Sequence, residues 1–461
     1  MSLAPLLDEA WSALTDGMPV GRGRPHVEAT GAPGELRSRF ASEEIAVACV
    51  ATVLGACSPL AGPEAVAGVD RGHVAAAVTS ERWFRRVGMP AESAQFAPLS
   101  RFWRTGDGWV RTHANYPWHR DALLRTLGVE DDPGAVASAM AERGAVELEE
   151  RVFEAGGVTA AVRTRDEWSA DPQGGAVASE PLVGHQLVGD AVARRPTRSP
   201  DVWQPAKDVR VVDLTRVIAG PVCTRMLGAL GADVLRIDPP DHLDMQPGAP
   251  ADGLLGKRST FLDLRSTGGA GTLQDLLHSA DVLVCGYRPG ALDRFGLGQE
   301  VLAERHPGLV IVYLDAWGHT GPWSHRRGFD SVVQAASGIA MRESIDGVTP
   351  GTLPCQLLDH GTGYLAAAAV LDGLRRQREQ GGTHVRRLSL ARVARWLTST
   401  DAPEQEAGDT PVDDRTWLSE IDTRGAAGVV AVPPPGRLGG RPLAWPRPAT
   451  LYGADEPSWR V

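Results

Sequence analysis

Beyond residue 209 the apolar residues gather into short runs separated by longer stretches with helical spacing. Val209–Leu214, Val234–Ile237, Val282–Cys285 and Leu309–Leu314 have the length and content of buried strands, and Val222–Leu230 and Thr272–Ser279 carry helical patterning between them. This rhythm predicts a parallel α/β sheet, since parallel neighbours need a crossover. Phe261–Arg265 alternates apolar and polar residues and predicts a short edge strand. Alanine-rich Tyr364–Gln377 predicts a long helix, with Arg375 and Arg376 where the helix dipole favours cations. Upstream the pattern differs. Phe40–Leu54 has helical spacing, Phe102–His113 predicts a hairpin about Gly106-Asp107-Gly108, and Trp118–Leu127 and Ala145–Ala155 predict helices. Gly21–Gly34 and the polar, glycine-rich Ala170–Ala178 predict irregular chain.

Arg194–Gln204, rich in Pro, Ser and Arg, predicts a domain boundary. The chain divides into a helical segment (1–94), a small α+β domain (95–200), a large α/β domain (207–400) and a C-terminal stretch (401–461). In the last, Asp401–Asp414 predicts an acidic loop and Val432–Pro448 an extended surface segment. An internal echo crosses this division. Val370-Leu371-Asp372-Gly373 aligns with Val53-Leu54-Gly55-Ala56, each in an Ala/Val-rich helix followed by a His-Val pair (His384-Val385, His73-Val74). That register sets Asp359 on Ser42, a residue that keeps helix-capping ability and loses the carboxylate.

Composition narrows the function classes. With 461 residues and a formal charge of −10, a broad nucleic-acid surface is excluded, though a local basic pocket is not. Lysine is scarce, only Lys207 and Lys257, which makes each more informative. Five cysteines without metal-ligand spacing predict reduced, buried thiols in a cytoplasmic protein and no metal site. The N-terminus shows no signal-peptide pattern, and no apolar run is read as a membrane span, so no membrane partner is expected.

Four places carry candidate chemistry. Arg216-Val217-Ile218-Ala219-Gly220-Pro221 joins the first strand to its helix with small residues, as a loop meeting phosphate at a helix start requires. Any tight β-α turn has the same need. A dinucleotide fold is disfavoured, because GxGxxG is absent although Asp238 ends the second strand. Lys257-Arg258-Ser259, with Arg265 after it, reads either as a phosphate cluster or as a basic turn. Cys285-Gly286-Tyr287-Arg288-Pro289-Gly290 leaves a buried strand. Tyr287 there could stack on a purine, and Arg288 or Arg294 could pair with phosphate. Asp359 heads the alanine-rich helix. Alone it reads as a helix cap; as a nucleophile it would have helix-start amides for an oxyanion and a dipole keeping it ionised, with Gly361 and Gly363 letting a thioester approach.

In this order the pieces resemble the family III CoA-transferases of the CaiB/BaiF type, which include formyl-CoA transferase, carnitine CoA-transferase and the α-methylacyl-CoA racemases. The matching residues are Asp213 to Pro221, Leu230-Gly231-Ala232-Asp233-Val234, Lys257-Arg258-Ser259, Leu262-Asp263-Leu264 and Arg288-Pro289-Gly290. Gly296-Leu297-Gly298, Gly318-His319-Thr320-Gly321-Pro322, Asp330, Gln334-Ala335, Ser337-Gly338 and Asp359 to Gly363 continue them. The resemblance covers about Val209–Leu397. It implies a Rossmann-like parallel-sheet large domain with a smaller α+β domain, and a transferase of sulfur-containing groups moving coenzyme A between an acyl-CoA and a carboxylic acid. Asp359 matches the catalytic aspartate, which would form an aspartyl-CoA thioester by way of a mixed anhydride. Val217, Ala219, Leu262, Arg265, Tyr287 and Arg294 fall where the family lines its CoA site, with Gly220 in the same loop.

Departures from the family shape the expectation. The racemase branch has a histidine directly before the residue matching Asp330. Phe329 stands there, which disfavours two-sided proton transfer unless His325 or His360 substitutes. No run of consecutive glycines matches the protective loop of formyl-CoA transferase, arguing against formate or oxalate. The small-domain signature lies upstream of the large domain, so residues 1–200 resemble the latter half of one copy, degenerate in its first part, fused to the front half of a second. Family members are interlocked dimers. The expected assembly is therefore a homodimer or an intrachain pseudo-dimer, with a racemase/isomerase or a silent CoA-binding scaffold as the alternative functions.

Overall fold

Seven strands make the main sheet of the computed structural model, which describes residues 3–17, 23–34, 36–61, 66–90, 96–194, 201–400 and 414–459. Their order is Arg258–Phe261, Asp233–Asp238, Arg210–Leu214, Val282–Cys285, Val310–Asp315, Thr383–Ser389, Gly184–Val188. The first six run parallel and the last is antiparallel. Counted in chain order from Arg210–Leu214, the parallel strands stand 3-2-1-4-5-6, the doubly wound arrangement. The order reverses between Arg210–Leu214 and Val282–Cys285, and folds of this kind take ligands beyond the carboxyl ends of the strands at such a reversal.

The apolar runs from Val209 to Leu314 form strands as expected. Such strands are buried on both faces and read as unbroken apolar segments. The expected strand over Phe261–Arg265 lies earlier, at Arg258–Phe261. It was hidden because its inward positions are polar: Arg258 pairs with Asp233, and the Ser259 amide donates to Asp455. Gly184–Val188, half exposed and with two polar side chains, carried no strand signal. Pro172–Ser179, expected as irregular chain, is a helix capped by Asp171, with proline in its first turn. Gly174 is needed there because a Cβ would lie 1.8 Å from the Trp168 carbonyl.

Helix Leu357–Gln380 runs through the centre of the molecule, packed between Ser42–Ala61 and Ala219–Ala229. Gly363 permits the second contact: a Cβ would come within 2.4 Å of the Ala219 carbonyl and 2.8 Å of Val222. Arg375 and Arg376 do not serve the helix dipole in solvent. They are buried and, with Arg386 from the next strand, converge on Asp372. Helix Ser42–Ala61 exceeds the expected length. By length and composition Ser42–Leu60 passes as a membrane span, but 83% of it is buried inside the protein, as in a core helix.

The echo has a structural counterpart. Ser42–Ala61, Ala67–Asp70 and Arg71–Ala77 follow the same helix–strand–helix order as Leu357–Gln380, Thr383–Ser389 and Leu390–Ser399. Asp70 and Ser389 cap the two closing helices. The His-Val pairs are not equivalent, because His73 lies in a helix and His384 in a strand. The N-terminal stretch is also not purely helical, since Val27–Thr30 pairs in parallel with Ala67–Asp70.

Phe102–Arg104, Trp109–Thr112 and Thr159–Ala161 form a small antiparallel sheet with its own core around Trp103, Val110 and Leu148. It docks on the main unit through the Arg163 amide, which donates to the Ala335 carbonyl, and at Gly338, where a Cβ would lie 2.5 Å from the Arg165 nitrogen. Asp401–Asp413 lies outside the described residues. Beyond it comes a hairpin, Ser419–Thr423 with Ala426–Ala431, where only loop and extended chain were expected. All five cysteines are buried and unpaired.

Candidate active site

Asp359 is the third residue of its helix, whose flanking cap position is Gln356, so it is not the cap. That part is taken by a residue from another helix. The Asp330 carboxylate accepts from the Asp359 amide at 3.0 Å and from the Leu358 amide, and its other oxygen accepts from Gln334. The helix-start amides expected to hold an oxyanion are therefore occupied by Asp330. The Asp359 side chain is 7% exposed and accepts no hydrogen bond among the described residues.

Three carboxyl groups meet here. Burial, with Asp330 and Glu81 as like-charged neighbours, pushes the Asp359 carboxyl well above its usual range. Burial likewise raises Asp330 to about 6. The environment favours the neutral acid, against the expectation that the dipole keeps Asp359 ionised. Glu81 is partly buried, and its pairing with His360 at 3.1 Å holds it below the usual range. Thus Glu81, from the N-terminal stretch, reaches the helix that carries Asp359. His360 is committed to that pair. His325 is exposed and stacks edge-on against Phe153.

Gly361 and Gly363 do not open the backbone to a thioester. Gly363 serves helix contact, and a Cβ on Gly361 would touch Val393 and Cys49 at 3.4 and 3.5 Å. The same contact ties Asp359 to the first loop of the sheet: Ala219 touches the helix at Gly363, one turn beyond Asp359, about 6 Å along the axis.

That loop holds a strained residue. Val217 is 37% exposed with φ of 66°, in the left-handed region that a β-branched side chain avoids. It is held there because its amide donates to Asp244 at 3.2 Å. Asp244 also accepts from Arg236 at 2.9 Å and from the Tyr116 hydroxyl, which the small sheet's segment contributes. From beneath, Asp213 accepts from Thr215, from Thr224 at 2.6 Å and from the Lys257 ammonium at 2.9 Å.

The remaining expected ligand residues divide. Val217, Ala219, Tyr287 and Arg294 lie on the two loops at the order reversal, Arg294 exposed and over the Phe295 ring. Gly220 is buried, and a Cβ would overlap Thr215 at 2.2 Å, so packing accounts for it. Leu262 packs on the sheet's apolar cluster. Arg265 is exposed and paired with Asp241 and Asp263. Lys257 and Arg258 face no open site; both are buried, with Asp213 and Asp233 as partners. Asp238 is held by Arg236, not free for a ribose. Among the described residues no group of three or more His, Cys, Asp or Glu side chains could hold a metal ion.

Sequence reasoning missed the contributions from upstream. His113 stacks on Phe329 with ring centroids 3.7 Å apart, and His119 meets the same ring edge-on at 5.9 Å. Both imidazoles are buried and held neutral, His113 lowered to about 3 and His119 to about 4, chiefly by burial. The partnership links positions more than 200 residues apart, for which local pattern carries no signal.

The sequence profile described as CoA-transferase family III matches residues 207–423. A succinyl-CoA–L-malate CoA-transferase beta subunit of Chloroflexus aurantiacus is 37% identical over 192 residues, 39% of this chain and 47% of that protein. An acetyl-coenzyme A transferase of Hypoxylon pulicicidum is 36% identical over 203 residues, 42% of this chain and 34% of that protein. The solved structure of Rv3272 from M. tuberculosis is 30% identical, covers 43% of this chain and 59% of its own, and superposes with a TM-score of 0.39. The chain spans about half or less of the length of these curated relatives. Residues 207–423, which carry most of the sheet, the strained loop and the Asp359 helix, are what matches CoA-transferase family III.

Proposed function

We propose that this protein transfers coenzyme A from an acyl-CoA thioester to a carboxylic acid, with Asp359 as the covalent carrier. The supporting observation is a carboxylate without hydrogen-bond partners among the described residues, one helical turn from the loop at the sheet's order reversal. Acyl-CoA is the substrate, taken by Val217, Ala219, Tyr287 and Arg294. The relatives' names include CoA-transferases acting on succinyl-CoA, which agrees with this class of reaction.

In the proposed sequence the ionised Asp359 oxygen attacks the thioester carbonyl. The C–S bond breaks, giving a mixed anhydride and CoA thiolate. The thiolate attacks the Asp359 carbonyl, releasing the donor acid as carboxylate and leaving an aspartyl-CoA thioester. An acceptor carboxylate then reverses the two steps. Both intermediates hydrolyse readily, so burial of the site serves the chemistry. We place the enzyme in the cytoplasm, with both halves of its site drawn from one chain.

Asp359→Asn tests the reading. The side chain accepts no hydrogen bond among the described residues, so the fold should persist while transfer falls to background. Hydroxylamine should trap an acylated Asp359 in the parent after incubation with acyl-CoA and nothing in the variant. Transfer persisting in the variant would refute the carrier role, and no adduct across a broad acyl-CoA panel would favour a silent scaffold.

A second reading, an acyl-CoA racemase, gains support from His113 against Phe329, which brings an imidazole to the position of the missing histidine. Deuterium entering the α-carbon from heavy water without any acceptor acid would favour it.

A further inference from the structure

Strand Trp109–Thr112 alternates as a half-buried strand must. Val110 and Thr112 turn into the small sheet's core, Thr112 donating to the Leu99 carbonyl. Arg111 and, just past the strand, His113 occupy the opposite face. His113 lies flat on Phe329, the residue before Asp330, so this face looks toward the carboxylates around Asp359.

Arg111 is 6% exposed, yet among the described residues its guanidinium makes no ion pair and no hydrogen bond, and its Nε is enclosed without a partner there. The group lies between two aromatic rings, 4.8 Å from the centroid of Phe96 and 5.1 Å from that of Phe102. Arg101 is a like-charged neighbour, and among the described residues the carboxylate whose field reaches it is Asp330. Asp330 is already engaged by Leu358, Asp359 and Gln334. A buried cation left this way is costly unless an anion arrives to meet it. The planar fork of a guanidinium suits a carboxylate in two-point contact.

Resting on the transferase reading, we propose that Arg111 binds the distal, non-reacting carboxylate of a dicarboxylic acyl group. The reacting carboxyl group loses its charge in the thioester and the anhydride, so a cation placed for it would be deserted in every acylated state. A second carboxylate keeps its charge through the whole cycle. It also needs a cation most where Asp330 and Asp359 would otherwise repel it. Arg111 is then a specificity-determining residue, choosing acids with a carboxylate at each end.

The test uses the full chain with glutarate and valerate, acids of equal carbon number that differ in the second carboxylate. With the donor thioester identified by trapping, the parent should favour glutarate as acceptor by about 10- to 100-fold in kcat/KM, the range of a hydrogen bond to a charged group. In Arg111→Met the ratio should fall to within about threefold, and Arg111→Lys should recover part of it. Glutarate should also protect the parent, with free CoA present, against thermal unfolding more than valerate does. A parent that uses both acids equally overturns the inference and leaves CoA transfer standing. If no acid accepts CoA, the transferase reading fails, and glutarate protecting no better than valerate would remove the Arg111 site as well. An unfolded Arg111→Met leaves the parent's own preference to decide.

Discussion

A carboxylate expected to attack a thioester is enclosed here beside two other carboxyl groups, and burial first, then those like-charged neighbours, favour the protonated form it cannot use. The pH dependence follows from that position. Between the unfolded value near pH 4 and its raised folded value, Asp359 keeps a proton in the native state that the unfolded chain has released, so stability declines as pH rises through this window. Asp330 acts with the same sign between about pH 4 and about 6. Asp359→Asn removes the first contribution. Thermal unfolding followed from pH 4 to 8 should show the variant gaining on the parent as pH increases, even though its activity is lost. Transfer by the parent should rise along a limb above the ordinary carboxylate range; a limb near pH 4 would contradict the burial argument. At this scale the sequence was partly legible. Asp359 and the Val217 loop could be named from motif order, because a small-residue turn and a helix-start acid are local features. Glu81, Arg111 and His113 could not, since they gain meaning only from partners in a distant part of the chain.

Among the elements, the two glycines in the Asp359 helix make opposite demands. A methyl on Gly363 would be driven into the Ala219 carbonyl and Val222, while one on Gly361 would meet Val393 and Cys49 at ordinary contact distance. Gly363→Ala should therefore destabilise the protein by about 1–3 kcal/mol and depress activity by displacing Asp359 from the loop. Gly361→Ala should be near neutral or mildly stabilising, because alanine favours a helix. Denaturant midpoints for both variants, read beside transfer rates, check this. Four of the six parallel strands were legible because burial on both faces makes them continuously apolar, while Thr383–Ser389 was not, since it buries His384 and Arg386. Arg258–Phe261 and Gly184–Val188 were not, since one buries paired polar groups and the other is half exposed at an edge. The Pro172–Ser179 helix was obscured by glycines, one of them required by contact with Trp168.

For the molecule as a whole, the site depends on parts of the chain that a reading of residues 207–423 omits. Ser42–Ala61 covers one side of the Asp359 helix, Glu81 reaches His360, and Tyr116 braces the Val217 loop through Asp244. Residues 201–461 expressed alone should aggregate or remain inactive, because the apolar side of the Asp359 helix would face water. Co-expression with residues 1–200 should restore soluble, active material. An active isolated fragment would show the upstream half to be dispensable. The α/β rhythm and the upstream small sheet were visible in the sequence pattern, whereas the way the two halves clasp the Asp359 helix was not, because packing between distant segments leaves no periodicity.

Both borders of the main sheet are completed by remote chain. Gly184–Val188 pairs along Thr383–Ser389, and Asp455 and Gly453 bind Ser259 on the opposite edge. During synthesis the first of these must wait roughly 200 residues for its mate, and the far border stays open until residues 449–459 have left the ribosome. A nascent chain therefore carries raw strand borders for most of its production time, and such non-local pairing slows folding. Growth temperature and chaperone supply should govern the yield of native protein more strongly than its final stability does.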